Sequence, residues 1–350
     1  MIKLLNTLYV TSPDAYLSLE GETVVILKGD VAAARIPLHN LCSIVSFGYT
    51  GCSPALMGSC AARGIDLCFL TQHGRFLARV QGPVNGNVLL RQTQAFIAGD
   101  PQRALPLARN FLGAKLHNAR WCLERTKRDH ALRIDMDRFQ QAIERIKAAQ
   151  HALLQQEGID GLLGQEGLAA KAYFDVFPQR VLRDGDAFCF AGRTRRPPRD
   201  RVNALLSLAY TLLAKECAAA LETVGLDPCV GFLHQLRPGR SSLALDLLEE
   251  FRAPIADRFV LMEINTGRMQ RDDFTVQEDG ACYLTEDARK RFLTDWQARK
   301  QQTILHPFLK ETIMWGLVPY AQAMLLSRHL RGDLDAYCNH AQLMSKRAHH

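Results

Sequence analysis

The hydrophobic period of this chain changes once, near residue 86, and that change limits what the chain can fold into. Before it, apolar residues come in short runs rich in Val, Ile and Leu: Leu4–Val10, Thr23–Lys28, Val31–Pro37 and Leu41–Phe47. Turn signals separate them at Ser12-Pro13-Asp14, Glu20-Gly21-Glu22 and Lys28-Gly29-Asp30, so they read as strands. One helix fits Pro54–Arg63, stopped by Gly64. Two more strands, Ile65–Thr71 and Arg75–Gln81, meet at a His73-Gly74 turn. Beyond residue 86 the period is helical, over Leu105–Glu124, Met136–Gln156, Leu162–Phe177, Val202–Val224, Leu243–Ile255, Thr285–Thr303 and His306–Leu330. The predicted class is α+β. A mostly antiparallel β domain over 1–85 precedes an all-α catalytic domain over 86–335, and the polar, basic stretch 336–350 is expected to be disordered.

Composition narrows the functional classes. At 350 residues there is room for two domains, and 47 % hydrophobic against 23 % charged residues excludes a disordered chain. The net charge of +7 admits nucleic acid, an acidic membrane or an acidic protein as partner. Ten cysteines are scattered without a CxxC pair, which argues against a zinc ribbon and for reduced, mostly buried thiols in the cytoplasm. No signal pattern opens the chain. The longest apolar stretch, Ala204–Ala214, runs into Lys215 and Glu216 and is too short to span a bilayer, so no membrane association is expected.

Four constellations carry candidate chemistry. Asp246 and Glu249 lie three apart on an otherwise apolar helical segment and share a face. Paired carboxylates need a cation or an Arg to stay ionised together, and a solvated face or an ion pair to Arg252 fits the same pattern. His234, in Gly231-Phe232-Leu233-His234, lies in a loop from which it can fold back onto that helix; a hydrogen-bonded core histidine is the alternative. Glu166 stands among small residues in Gly164-Gln165-Glu166-Gly167, where a helix or a nucleic-acid backbone can come close, although a helix-start Glu looks the same. Arg193, Arg195, Arg196, Arg199 and Arg201 fall within nine residues of a proline-stiffened loop. Such a loop suits bidentate phosphate binding, or simple solvation. Together, two carboxylates and an imidazole suit Mg²⁺ or Mn²⁺, and the arginines suit the strand carrying the phosphate.

These residues, in this order, resemble a known family. Gln165-Glu166-Gly167 with Ala170 and Tyr173-Phe174, the run 195–203 with 205–213, Gly231–His234, and Ser242–Glu249 are together similar to the Cas-one family of CRISPR-associated integrases. The details are closest to its type I-C group. The resemblance spans nearly the whole chain. It implies a β-rich dimerisation domain, a helical catalytic domain, and one divalent metal held by Glu166, His234 and an acidic residue. That third position maps to Glu249, with Asp246 one turn earlier beside the site. Some members carry Asp at the Glu249 position, which keeps both in play. The resemblance also implies a homodimer, and a complex of two such dimers around a dimer of the small Cas-two protein. The implied reaction inserts new spacers. A 3′ hydroxyl of a short duplex protospacer attacks a phosphodiester at the edge of a CRISPR repeat, with no covalent protein–DNA intermediate. Tyr173, Asn203 and Tyr210 are candidates for DNA contact or for support of the metal site from behind, and a purely structural role fits each equally well. A nuclease that resolves branched DNA, a catalytically silent DNA-binding scaffold and an RNA-binding structural protein are the rival readings. The last is weakest, because the aromatic-rich strand pattern of common RNA-reading sheets is missing.

Overall fold

The structure is a computed structural model that describes residues 6–29, 31–72, 76–80, 82, 88–183, 186–306 and 308–337. The chain divides into two compact units. One comprises Met1–Asn85, Leu284–Ile304 and Ile313–Leu317; the other comprises Gly86–Tyr283, Leu305–Thr312 and Val318–His350.

The first unit carries strands β1 (Thr7–Val10), β2 (Ala15–Glu20), β3 (Thr23–Lys28), β4 (Val31–Pro37) and β5 (Ser43–Phe47). Helix α1 (Pro54–Arg63) and strands β6 (Asp66–Leu70) and β7 (Phe76–Val80) follow. Strands β2, β3 and β4 form an antiparallel meander. The second sheet, in the order β1-β5-β6-β7, is mixed: β1–β5 and β5–β6 are parallel, and β6–β7 is antiparallel. The sequence points to a mostly antiparallel domain. The parallel pairing of β5 with β6 arises because α1 crosses between them, and a parallel pair needs such a crossover. Strand β2 escapes the sequence reading altogether, although Ala15 and Leu17 alternate onto a buried face. Helix α1 has clear ends. Ser53 accepts from Leu56 N at 3.2 Å, Pro54 opens the first turn, and Gly64 closes it at φ 67°. Leu56 and Cys60 of α1 join Leu17, Val24, Ile44 and Leu67 in one apolar core.

The helix Glu286–Gln301 belongs to this unit, not to the helical domain where the sequence places it. It buries Phe292, Leu293 and Trp296. Arg289 donates to the carbonyls of Gln72 and Thr11, and Lys300 reaches Thr7 Oγ1 at 3.4 Å. Periodicity reports that a helix has a buried face, but not which core receives it. The expected His73-Gly74 turn lies outside the described residues.

The second unit is built on α2 (Val88–Ala98), α3 (Pro101–Asp129), α4 (Met136–Leu153), α5 (Ile159–Asp175), α6 (Arg201–Thr223), α7 (Ser242–Glu249) and α8 (Arg258–Asn265). With Glu286–Gln301 as α9, the last helix is α10 (Val318–Leu330). A short pair of strands, β8 (Phe274–Val276) and β9 (Cys282–Leu284), was not expected in an all-α domain. Helices α3, α4 and α5 pack on one another, and α6 packs on α7, α8 and α10. By length and composition α6 could cross a membrane, being longer than the apolar stretch that the sequence suggests. However, 61 % of its apolar window is buried inside the protein.

Between α7 and α8 the chain makes a π-helical turn over Arg252–Asp257 instead of the continuous helix expected to Ile255. Pro254 offers no N–H, and Ala256 N reaches back five residues to Phe251 O at 3.4 Å. The widened turn carries Arg252 and Asp257 at its two ends. Tyr337 is another departure from expectation, because it falls in the stretch predicted to be disordered yet is 2 % exposed. It donates to Glu250 Oε1 and packs on Phe111. Residues 338–350 lie outside the described set. All described cysteines are free thiols and most are buried, but Cys189 and Cys229 are exposed.

Candidate active site

Helix α7 presents its two acidic residues to different neighbours. Asp246, fully buried, faces the loop that carries His234. Its Oδ2 accepts from Phe232 N at 2.7 Å and Leu233 N at 3.0 Å, and its Oδ1 accepts from His234 N at 2.9 Å. Oδ1 also lies 2.6 Å from His234 Nδ1. Gly231 permits this approach, since a Cβ there would sit 2.8 Å from Asp246 Oδ2 and from Ser242. A carboxylate can only accept, so in this contact His234 Nδ1 is the donor. Nε2 lies 3.9 Å from Glu249 Oε1.

Glu249, 3 % exposed, turns toward cations. Arg252 NH2 is 3.0 Å from its Oε1, and Lys115 Nζ is 2.7 Å from its Oε2. Burial pushes its carboxyl upward, but Arg252 and Lys115 outweigh that and hold it at about 2. Oε2 is close to Lys115 yet buried without an aligned hydrogen bond. Lys115, from α3, also contacts Glu166 Oε1 of α5. One ammonium thus joins Glu166 to Glu249. Among the described residues, as placed, no three His, Cys, Asp or Glu side chains are close enough to chelate one ion. The cation between the two carboxylates is Lys115.

The sequence does not single out Lys115, but a signal is there. Phe111, Lys115, Asn118 and Cys122 recur at helical spacing on the buried face of α3, and a Lys and an Asn in such a stripe need internal partners. Asn118 finds one by donating to Glu250 O at 2.7 Å. Gln94 is a second residue the sequence reading missed. Fully buried, it donates to Asp227 O and Val230 O at 2.8 Å each and fixes the loop leading to His234.

A cavity of about 90 Å³ opens beside Lys115 and Glu166, floored by Ala119, Ala170, Phe174 and Tyr210. Beneath it, Asp257 accepts from Tyr173 OH at 2.8 Å and Tyr210 OH at 2.6 Å. Arg180 donates to the same Tyr173 hydroxyl. Burial, followed by Asp257 for Tyr210, raises both phenols well above their ordinary range, so they stay neutral. Tyr210 is also held between the guanidinium groups of Arg193 and Arg252, at 5.2 and 5.1 Å from its ring centre. Asn203 is fully buried and knits the start of α6, bonding Gly192 O and Asp200. Tyr173, Tyr210 and Asn203, expected to touch DNA, therefore spend their polar atoms inside the protein.

The arginine loop divides in the same way. Arg193 donates to Thr194 O, Asn203 Oδ1 and Ser207 Oγ, and Arg201 donates to Ala187 O. Arg199 is exposed and contacts Asp279 O. Arg195 and Arg196 are exposed and have no partner among the described residues.

Known proteins were compared with this chain. A model of the family described as CRISPR associated protein Cas1 matches residues 8–298. The CRISPR-associated endonuclease Cas1 1 of Chlorobaculum tepidum is 51 % identical over 344 residues, covering 96 % of this chain and 98 % of that protein. A solved structure titled "Casposase bound to integration product" superposes with a TM-score of 0.82 at 22 % identity, covering 97 % of this chain and 94 % of that one. The Cas6-RT-Cas1–Cas2 complex contains a chain that superposes at 0.78 and 23 % identity, over 95 % of this chain and 35 % of that one. At those identities the two structures speak for the fold, whereas the sequence match over almost the full length places the chain in the Cas1 family.

Proposed function

We propose that this protein is a divalent-metal-dependent DNA endonuclease and integrase, which inserts short duplexes into a CRISPR array by 3′-hydroxyl transesterification. The carrying observation is that Glu166 and Glu249, from two different helices, share one cation position at Lys115, with His234 beside Glu249, its Nε2 3.9 Å from Oε1. Glu166, His234 and Glu249 would hold Mg²⁺ or Mn²⁺, a fit supported by the oxygen and imidazole donors and by the unaligned, buried Oε2 of Glu249. When bound, the metal would supply Lewis-acid polarisation of the phosphodiester and charge stabilisation for the attacking and leaving oxygens.

The other roles fall to the chain itself. Asp246, with both oxygens engaged, orients His234 and fixes its tautomer, so Glu249 is the third ligand and Asp246 supports it. Arg252 helps keep Glu249 ionised. Arg195, Arg196 and Arg199 hold phosphates of the bound strand. The 3′ hydroxyl forms one P–O bond as the strand's own 3′ oxygen leaves, so one phosphodiester is exchanged for another. The neutral, buried state of Tyr173 and Tyr210 fits a reaction with no tyrosine–DNA intermediate.

The partners proposed are duplex protospacer and repeat DNA, a second copy of the chain, and a Cas2 dimer. The similarity to a casposase titled as bound to an integration product favours joining over hydrolysis alone. The similarity to a chain of a Cas1–Cas2 complex supports the Cas2 partner. The cytoplasm, where the array lies, is the proposed location.

A joining assay tests the proposal. With Mg²⁺ or Mn²⁺ and Cas2, a short duplex should become covalently attached to a plasmid carrying the repeat. Duplexes ending in 3′ dideoxynucleotides should not join. Cleavage of branched DNA without any joined product would favour the simple nuclease.

A further inference from the structure

We propose that Lys115 is a resident counter-ion that a divalent cation displaces from the Glu166–Glu249 pair, and that the freed ammonium then takes a phosphate oxygen of bound DNA. The inference rests on the metal reading above and adds a coupling to it. Lys115 contacts both carboxylates, so it fills the position where those carboxylates would meet a metal. Two like-charged cations cannot share that space, because both need the same lone pairs and repel each other at contact range. Of the groups around Glu249, Lys115 is the one free to leave. Arg252 is stacked on Tyr210 and begins the π-helical turn, and His234 is pinned by Asp246. Lys115 has a four-carbon stem and lines the cavity beside Glu166, so it has room to turn.

Displacement has a functional consequence. Without metal, the ammonium balances two acidic residues that would otherwise repel each other and any approaching phosphate. With metal in place, that balance passes to the metal, and a positive charge is released beside the reacting strand. Metal and DNA should then each tighten the other's binding by the same factor, as linkage requires. Lys115 is a positioning residue in this scheme.

The test uses the full chain and Mn²⁺ itself, with binding followed by the paramagnetic resonance signal of free Mn²⁺. Lys115→Met should bind Mn²⁺ about tenfold more tightly than the native protein, because no cation has to be expelled. Its melting temperature without metal should fall, and Mn²⁺ should raise it by more than in the native protein. Lys115→Arg, which keeps the charge and grips two carboxylates with a fork, should bind Mn²⁺ more weakly and covers the case in which the Met variant does not fold. Adding Mn²⁺ should tighten duplex DNA binding to the native protein, and Lys115→Met should lose that gain. Unchanged or weaker Mn²⁺ affinity in Lys115→Met, or native affinity in Lys115→Arg, overturns the proposal. His234→Ala is the control for the parent reading. If it binds Mn²⁺ as the native protein does, the metal assignment itself fails, whatever Lys115 does.

Discussion

Asp246 and Glu249 stand three residues apart on one short helix, and their surroundings give them different tasks. Glu166→Ala, His234→Ala and Glu249→Ala should each reduce strand transfer below detection. Glu166→Ala should do so with little loss of stability, because its side chain is 23 % exposed. Asp246→Ala should cost both, since three amide donors lose their acceptor, the two buried ones at about 1–3 kcal/mol each. Thermal melts beside a joining assay separate the cases; an Asp246→Ala protein with native stability would contradict the geometry. Asp246→Asn, closer in shape, should lower activity roughly 10–100-fold by disturbing the tautomer of His234.

A pH effect belongs to His117, whose ring burial, followed by repulsion from Arg120, lowers its pKa to about 4 and whose Nε2 has no hydrogen-bond partner. The unfolded chain, titrating near 6.5, binds the proton more readily. Stability is therefore fully present above about pH 6.5 and declines as pH falls toward 4. His117→Gln should flatten that slope by roughly 1–2 kcal/mol after allowance for solvent screening, read as denaturant midpoints at pH 7.5 and 5. Of the proposed site residues, Glu166, His234 and Glu249 stand in motifs that the sequence displays, whereas Lys115 between the two glutamates does not. For Tyr173, Asn203 and Tyr210 the sequence leaves a DNA contact and an internal role open, because residue type and spacing do not say which way a polar atom points. The partner of each one lies far away in sequence or on a loop that has no period.

At the scale of elements, the loop from 193 to 201 looks like one basic patch in sequence but is two sets of arginines in space. Arg195 and Arg196 face solvent, whereas Arg193 and Arg201 tie the loop to α6 and to the backbone around it. Neutralising Arg195, Arg196 and Arg199 together should weaken binding to any duplex sequence. Each lost phosphate contact should reduce the slope of log affinity against log salt by about 0.9. Arg193→Ala should instead lower the melting temperature, because it removes the guanidinium from which Thr194 O, Asn203 Oδ1 and Ser207 Oγ accept. An unchanged salt slope in the triple variant would remove the loop from the DNA interface. Long helices such as α3, α4 and α6 were readable because many turns repeat one pattern. The shorter pieces were not. The π-helical turn depends on where Pro254 falls against its neighbours, and α8 lies directly beyond it without a break in hydrophobicity. Strand β2 is as long as β3, but it mixes Ala15, Ser18 and Glu20 with its larger apolar residues and so offers no continuous Val, Ile and Leu run.

At the scale of the whole molecule, the proposed Glu166–His234–Glu249 site occurs once per chain, while the proposed insertion at both ends of a repeat needs two at a fixed spacing. A symmetric pair of chains is the simplest source of two. The first unit has the surface for it. Strand β4 exposes Val31 and its neighbours along one sheet edge, and β7 exposes Phe76 and Leu77 along the edge of the other. Open apolar edges of this kind seek a partner. Light scattering should therefore give twice the chain mass of 39.2 kDa. Deleting residues 1–85 is a poor way to test the contact, because it would remove the Gln72 and Thr11 carbonyls that Arg289 of α9 holds and the Thr7 hydroxyl that Lys300 reaches, within the same unit. Val31→Lys with Phe76→Lys places charges on both edges and leaves the core untouched. This variant should scatter as a single chain and bind Mn²⁺ like the native protein. It should attach a duplex at one end of a repeat but not at both. If the native protein proves monomeric and still joins both ends without Cas2, one active site must serve twice, and the edges of the β unit have some other use.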